Sequence, residues 1–281
     1  MDGTIRVTAV VENTAGARDM LTEHGLAFWI DTGSRRVLFD TGQGKVLRHN
    51  ARRLGVRLEL ADAIVLSHGH YDHTGGLGQA LRTAPRAKVY AHPAALRPKY
   101  ARNDDGTARD LGIPSLDEET VRKQASELVW TRQPTEFCDG LFVTGEIPRV
   151  TAFEDTGGPF FLDRDCQHPD PLIDDQCVFF QCLQGTVVLL GCAHAGVVNT
   201  LRYVEQLTGN RPIHAVMGGM HLGGASRERM NHTILAFSEF DIRHLGPAHC
   251  TGMAATAELC TAFPERCFAC RAGTTMAFET A

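Results

Sequence analysis

Three histidines and an aspartate fall within six positions, at His68, His70, Asp72 and His73, in the stretch IVLSHGHYDHTGGL from Ile64 to Leu77. In an extended chain residues two apart point to the same side, so His68 and His70 can bind one ion while Asp72 and His73 reach toward a second. Imidazole nitrogen and carboxylate oxygen suit a divalent transition metal. Zinc, iron and manganese all accept these donors, and the donors alone do not choose among them; one or two ions per chain are expected, zinc first.

The elements around the motif must aim it. Ala63 to Leu66 reads as a buried strand, and Leu77, Ala80 and Leu81 give the next segment a helical face. The motif then sits at the carboxyl end of a strand, where open α/β sheets place their ligands. Upstream, Ile5 to Val11, Ala27 to Asp31 and Arg36 to Asp40 read as strands, the last two a hairpin turned at Gly33-Ser34. Thr41, Gly42 and Gly44 form a tight loop without the third glycine of a dinucleotide fingerprint or a Walker lysine. A helix follows at Val46 to Leu54. Lys88 to Ala91 is a strand, with His92 a polar residue at its end.

Residues 94–136 are charge-rich, carry Arg97, Lys99, Arg102 and Arg109, and predict a helix at Leu116 to Glu127. They read as a helical, charged insertion placed to form a lid or substrate wall. Leu141 to Val143 and Gly145 to Val150 resume the strand pattern, and Val178 to Leu190 reads as two strands joined at Gln184-Gly185. Helices at Val197 to Gln206, Glu228 to Phe240 and Ala254 to Phe263 alternate with strands at Ile213 to Met217 and Ile242 to Leu245. A last strand returns within Cys267 to Phe278.

The 281 residues, 43% hydrophobic and 22% charged, suit an α/β chain with a packed core, expected as one domain over residues 1–281. A net charge of -5 gives no reason to expect a nucleic-acid partner. No run approaches a membrane span, and MDGTIRVTAVVENTA lacks a signal-peptide pattern, so a cytoplasmic location without a membrane partner is expected. Nine scattered cysteines suit reduced thiols. The single CxxC at Cys267 and Cys270 reads as core thiols.

HGHYDHTGG fits the HxHxDH signature, and the chain resembles the metallo-β-lactamase superfamily. FDTG at Phe39 to Gly42, TGEIPR at Thr144 to Arg149, DDQ at Asp174 to Gln176, GCAHAG at Gly191 to Gly196, GGMHLGG at Gly218 to Gly224 and HCTG at His249 to Gly252 are similar to one branch. That branch is the dihydropterin-ribofuranosyl-aminobenzene phosphate synthases. The resemblance runs from about Val11 to Gly252 and implies a four-layered αββα sandwich. It implies that Asp40 supports the metal loop, that a further histidine completes the first metal site, and that a bridging aspartate and a late histidine complete the second.

Where the superfamily has Gly-Asp, this chain has Gly191-Cys192. Either Cys192 bridges as a thiolate or His194 supplies the missing ligand, and His194 is preferred because a cysteine beside an apolar strand is commonly inert. His249 is preferred over His221 as the late ligand, which leaves His221 as a pocket proton donor. Glu146 and Arg149 are candidate substrate contacts. His24, His214, His232 and His244 read as surface or core residues.

The chemistry expected is hydrolysis of a small molecule by metal-activated water, with Asp72 binding metal and orienting the water. A second reading, from the resemblance, is a transferase-like condensation of a reduced pterin with a phosphorylated ribosyl arylamine. Arg149, Arg227, Arg229, Arg97 or Arg102 would then hold the phosphate. A third keeps the metal and assigns non-catalytic sensing.

Overall fold

The computed structural model describes residues 3–114 and 116–280. β1 (Gly3–Val11), β2 (Ala27–Asp31) and β3 (Arg36–Phe39) form an antiparallel meander. α1 (Leu47–Arg53) then crosses to β4 (Ala63–Val65), which runs into the metal motif. The motif's second half folds as the single turn α2 (Tyr71–Thr74), followed by α3 (Leu77–Thr83) and β5 (Lys88–Ala91).

Residues 94–136, expected as a helical, charged insertion, carry less helix than expected and several short strands among the described residues. They hold β6 (Tyr100–Arg102), β7 (Ala108–Asp110), α4 (Glu118–Gln124), β8 (Glu127–Trp130) and the start of β9 (Thr135–Cys138). Asp117 caps α4 by accepting the Thr120 N–H at 2.8 Å, which fixes where the helix begins. β8 and β9 exist because each has a sheet edge to pair with.

β10 (Leu141–Val143) is followed by Gly145, whose φ of 67° turns the chain. The strand expected over 145–150 is therefore absent, Pro148 also lacking the N–H a ladder needs. β11 (Phe160–Phe161), β12 (Val178–Cys182) and β13 (Gly185–Leu190) follow, then α5 (Val197–Leu207), β14 (Ile213–Gly219), α6 (Arg227–Glu239), β15 (His244–Ala248), α7 (Met253–Ala262) and β16 (Thr275–Thr280). The last two strands start later than expected because left-handed turns at Asp241 and Gly273 delay them.

The first sheet runs β16-β1-β2-β3-β4-β5-β8, the second β15-β14-β13-β12-β10-β9, and β11-β6-β7 form a small third sheet. Phe28, Phe39 and Val65 of the first sheet meet Phe180, Val187 and Leu189 of the second in one core. Leu47 and Leu81 cover the first sheet's outer face, and Val197, Leu201 and Phe237 cover the second's. The result is the expected αββα sandwich. Cys270 is buried in the central core, while Cys267 Sγ lies 2.7 Å from Cys260 Sγ. Among the described residues no helix is long and apolar enough to cross a membrane.

One segment ties both halves to the metal loop. Asp174 Oδ2 accepts the Gly69 N–H at 2.8 Å, Gln176 donates to the Ser67 and Leu66 carbonyls at 3.0 and 2.7 Å, and Asp175 Oδ2 accepts the Ala195 N–H at 2.8 Å. Burial pushes the Asp175 carboxyl up to about 7. Beneath Gly69 the buried Lys99 ammonium bonds Asp170 at 2.8 Å and Asp174 at 2.9 Å. Removing one partner of a buried ion group costs about 3–5 kcal/mol because the others stay charged and dry. Lys99→Ala is therefore expected to lose about that much stability in urea denaturation; a loss under about 1 kcal/mol would mean the triad does not brace the loop.

Candidate metal centre

Asp40, immediately after β3, anchors the centre. Its Oδ1 accepts the Ser67 backbone N–H at 2.7 Å, and its Oδ2 accepts the Ser67 hydroxyl and His73 Nδ1–H, each at 2.7 Å. With its only proton given to Asp40, Ser67 Oγ can only accept from His68 Nδ1–H, 2.9 Å away. One carboxylate thus sets two tautomers and leaves the Nε2 lone pairs of His68 and His73 pointing inward.

His70 Nδ1 stands 3.0 Å from His68 Nε2. His194 Nδ1–H donates to the Thr156 carbonyl at 2.7 Å, so its Nε2 is a lone pair, buried and without a partner. On the other side, His249 Nδ1–H donates to Asn13 Oδ1 at 2.9 Å, which frees Nε2. That atom lies 3.2 Å from His73 Nε2 and 3.3 Å from Asp72 Oδ2, and His73 Nε2 lies 3.1 Å from Cys192 Sγ. Donor atoms around a four-coordinate zinc stand about 3.3–3.8 Å apart. The lone pairs converge at nearly that spacing, and the orphaned His194 Nε2 is a cost that an ion would remove. The donor set fits divalent metal.

The sequence left Cys192 and His194 as alternatives; the structure brings both in. His68, Cys192 and His194 form one group of donor atoms lying within 4.8 Å of one another, and His73, Cys192 and His249 form a second. Cys192 Sγ belongs to both. His221 lies outside them, against Cys192 and Cys250.

Burial holds His68 and His194 neutral, well below the ordinary histidine range, and pushes His70 down to about 3. His73 differs: burial opposes its charge, but the Asp40 and Asp72 carboxylates outweigh it and raise the ring to about 9. Burial also opposes the Asp72 charge, yet the hydrogen bond from His24 and the neighbouring His249 and His73 rings keep its carboxyl well below the usual range. This is a field in which a cation replaces a proton.

Three residues escaped the sequence reading. His24 Nε2 lies 3.2 Å from Asp72 Oδ2, with the side chain 57% exposed. The available signal was Gly25 beside it, whose missing side chain allows close approach: a Cβ there would stand 2.5 Å from the Asp72 carbonyl oxygen. Asn13 carried no motif, and Cys250 lay within HCTG without being read as a site residue. Two expected contacts are elsewhere. Glu146 pairs with His92 at 3.0 Å, and Arg149 Nη1 bonds the His194 carbonyl at 3.2 Å; neither lines the pocket.

The centre floors an open cavity of about 530 Å³, with Tyr71, Leu111, Phe160 and Arg109 on its walls. Arg109 is the only lysine or arginine lining it and makes no ion pair among the described residues. A larger cavity of about 700 Å³, by Ile5, Phe142 and Phe179, has no histidine or cysteine in its lining.

Residues 22–218 match the Metallo-beta-lactamase superfamily. The chain belongs to that superfamily. An uncharacterised relative in Methanocaldococcus jannaschii is 32% identical over 254 residues, covering 90% of this chain and 93% of the relative. The 7,8-dihydropterin-6-methyl-4-(beta-D-ribofuranosyl)-aminobenzene-5'-phosphate synthase of the same organism is 29% identical over 262 residues, 89% of each chain. A crystal structure described as a metal-dependent hydrolase of the beta-lactamase superfamily superposes with a TM-score of 0.81 at 29% identity, covering 97% of this chain and 98% of the other. The superfamily binds divalent metals and acts on small molecules.

Because Asp40 sets the tautomers of two proposed ligands, Asp40→Asn is expected to lower metal affinity about 10–100-fold. Competition against a chromophoric chelator measures this, and an unchanged affinity would contradict the assignment.

Proposed function

We propose that this protein is a metal-dependent hydrolase of an anionic small molecule. The observation that carries the reading is the convergence of two imidazole-rich donor groups on Cys192 at the floor of an open pocket. His68, His70 and His194 would hold one ion and Asp72, His73 and His249 the other, with Cys192 between them. Divalent metal in such a set lowers the pKa of water and polarises the carbonyl or phosphoryl oxygen under attack. Zinc is the ion these donors favour.

Around it the chain's own groups bind, orient and move protons. Asp72 Oδ2 orients the attacking water and accepts its hydrogen bond. The leaving group takes its proton from His24 Nε2, on the exposed rim, in place of His221, whose Nδ1 is buried. Phe160 and Tyr71 exclude water from one wall, and the unpaired Arg109 guanidinium binds the substrate's negative group.

Of the expected phosphate arginines, Arg227 pairs with Glu258 and Arg229 with Asp155, and none of the five lines the pocket. Arg109 also suits a second reading, condensation on a phosphorylated substrate like the one in the synthase relative's name. The two differ in product: hydrolysis releases two fragments, condensation joins them.

His68→Ala, Asp72→Ala and His249→Ala are each expected to abolish turnover and reduce bound metal, read by assay and elemental analysis together; full metal and unchanged turnover in all three would end the reading. His24→Ala should lower kcat by about 10²–10⁴ with metal retained. Arg109→Ala should raise KM for phosphate- or carboxylate-bearing substrates and not for neutral esters or lactones. If neutral compounds alone raise the melting temperature, the anionic class is wrong.

A further inference from the structure

Cys250 takes no part in the two donor groups above. Its Sγ, Cys192 Sγ and a ring nitrogen of His221 form a third group, again within 4.8 Å of one another. The three side chains come from the loops that leave the parallel neighbours β13, β14 and β15. Each loop holds a non-glycine residue in the left-handed region: Ala193 at φ 54°, His221 at 46° and His249 at 51°. L side chains rarely adopt that region, and such residues concentrate at functional sites.

The middle strand makes room for the sulfurs. A Cβ on Gly219 would stand 2.7 Å from Cys250 Sγ and 3.3 Å from the Cys192 Cα, so only glycine lets the two cysteines meet across it. His221 Nδ1 is buried with no hydrogen-bond partner. Cys250 also lines the cavity, which gives an ion a way in.

We propose that Cys192, Cys250 and His221 form a further cation position, one that takes a soft, thiophilic divalent ion. Two thiolates and a neutral imidazole carry two negative charges and balance a divalent cation, and sulfur donors select zinc or cadmium over magnesium or manganese. The inference rests on the metal-centre reading only in that Cys192 is shared with it. The position makes the centre's preference depend on Cys250, a residue outside the imidazole groups.

The test is titration of metal-free protein with cobalt(II), following the thiolate-to-cobalt charge-transfer band in the near ultraviolet. The full chain is expected to show a band that falls clearly in Cys250→Ser and falls further in Cys192→Ser, since Cys192 also serves the two imidazole groups. His221→Ala is expected to keep the band and weaken cadmium binding about tenfold or more. Circular dichroism of each variant checks folding, and His221→Ala serves if Cys250→Ser does not fold. A Cys250→Ser band equal to that of the wild type, a wild type with no thiolate band, or unchanged cadmium affinity in His221→Ala overturns the proposal. The metal-centre reading fails separately, if cobalt causes no change in the d–d spectrum that His68→Ala alters.

Discussion

A single buried carboxylate organises the centre. Asp40 accepts three hydrogen bonds, from the Ser67 backbone, the Ser67 hydroxyl and His73 Nδ1, and through the serine it also fixes His68. Neutral imidazole has one donor and one acceptor nitrogen, and only the acceptor can bind metal. By taking the donor side of both rings, Asp40 decides that the lone pairs face each other across the site. The Thr156 carbonyl and Asn13 Oδ1 do the same for His194 and His249.

These acceptors can be held so closely because the sheets place them there. Asp40, Ser67, Cys192, His221 and His249 all follow the carboxyl ends of strands, drawn from two sheets that share one apolar core. Asp174 and Gln176 then fasten the metal loop, and Asp175 the loop carrying His194. A shift of one sheet against the other would move the two halves of the centre apart, so packing in the core is coupled to chemistry at the rim.

Much of this was legible in the amino-acid order. Near-continuous apolar runs marked β1 to β5 and β12 to β14 because most of those strands are buried on both faces, and the dense His/Asp spacing announced its own chemistry. Residues 145–150 misled because a left-handed glycine and a proline interrupt a pattern that hydrophobicity alone extends. The insertion misled because β8 owes its form to β5, about forty residues earlier in sequence, and β9 to the edge that β10 offers. His24, Asn13 and Cys250 were illegible for a related reason. Each is ordinary in its own segment and acquires a role only when the fold carries it to Asp72, His249 or Cys192.

The central claim is that His68, His70 and His194, with Asp72, His73 and His249, hold divalent metal around Cys192. Anomalous X-ray diffraction from crystals of catalytically active protein, purified without added metal, tests it most directly. The account predicts a peak within bonding distance of His68 Nε2 and His194 Nε2 and another beside His73 Nε2 and His249 Nε2. Active crystals with no anomalous peak at either place would contradict it.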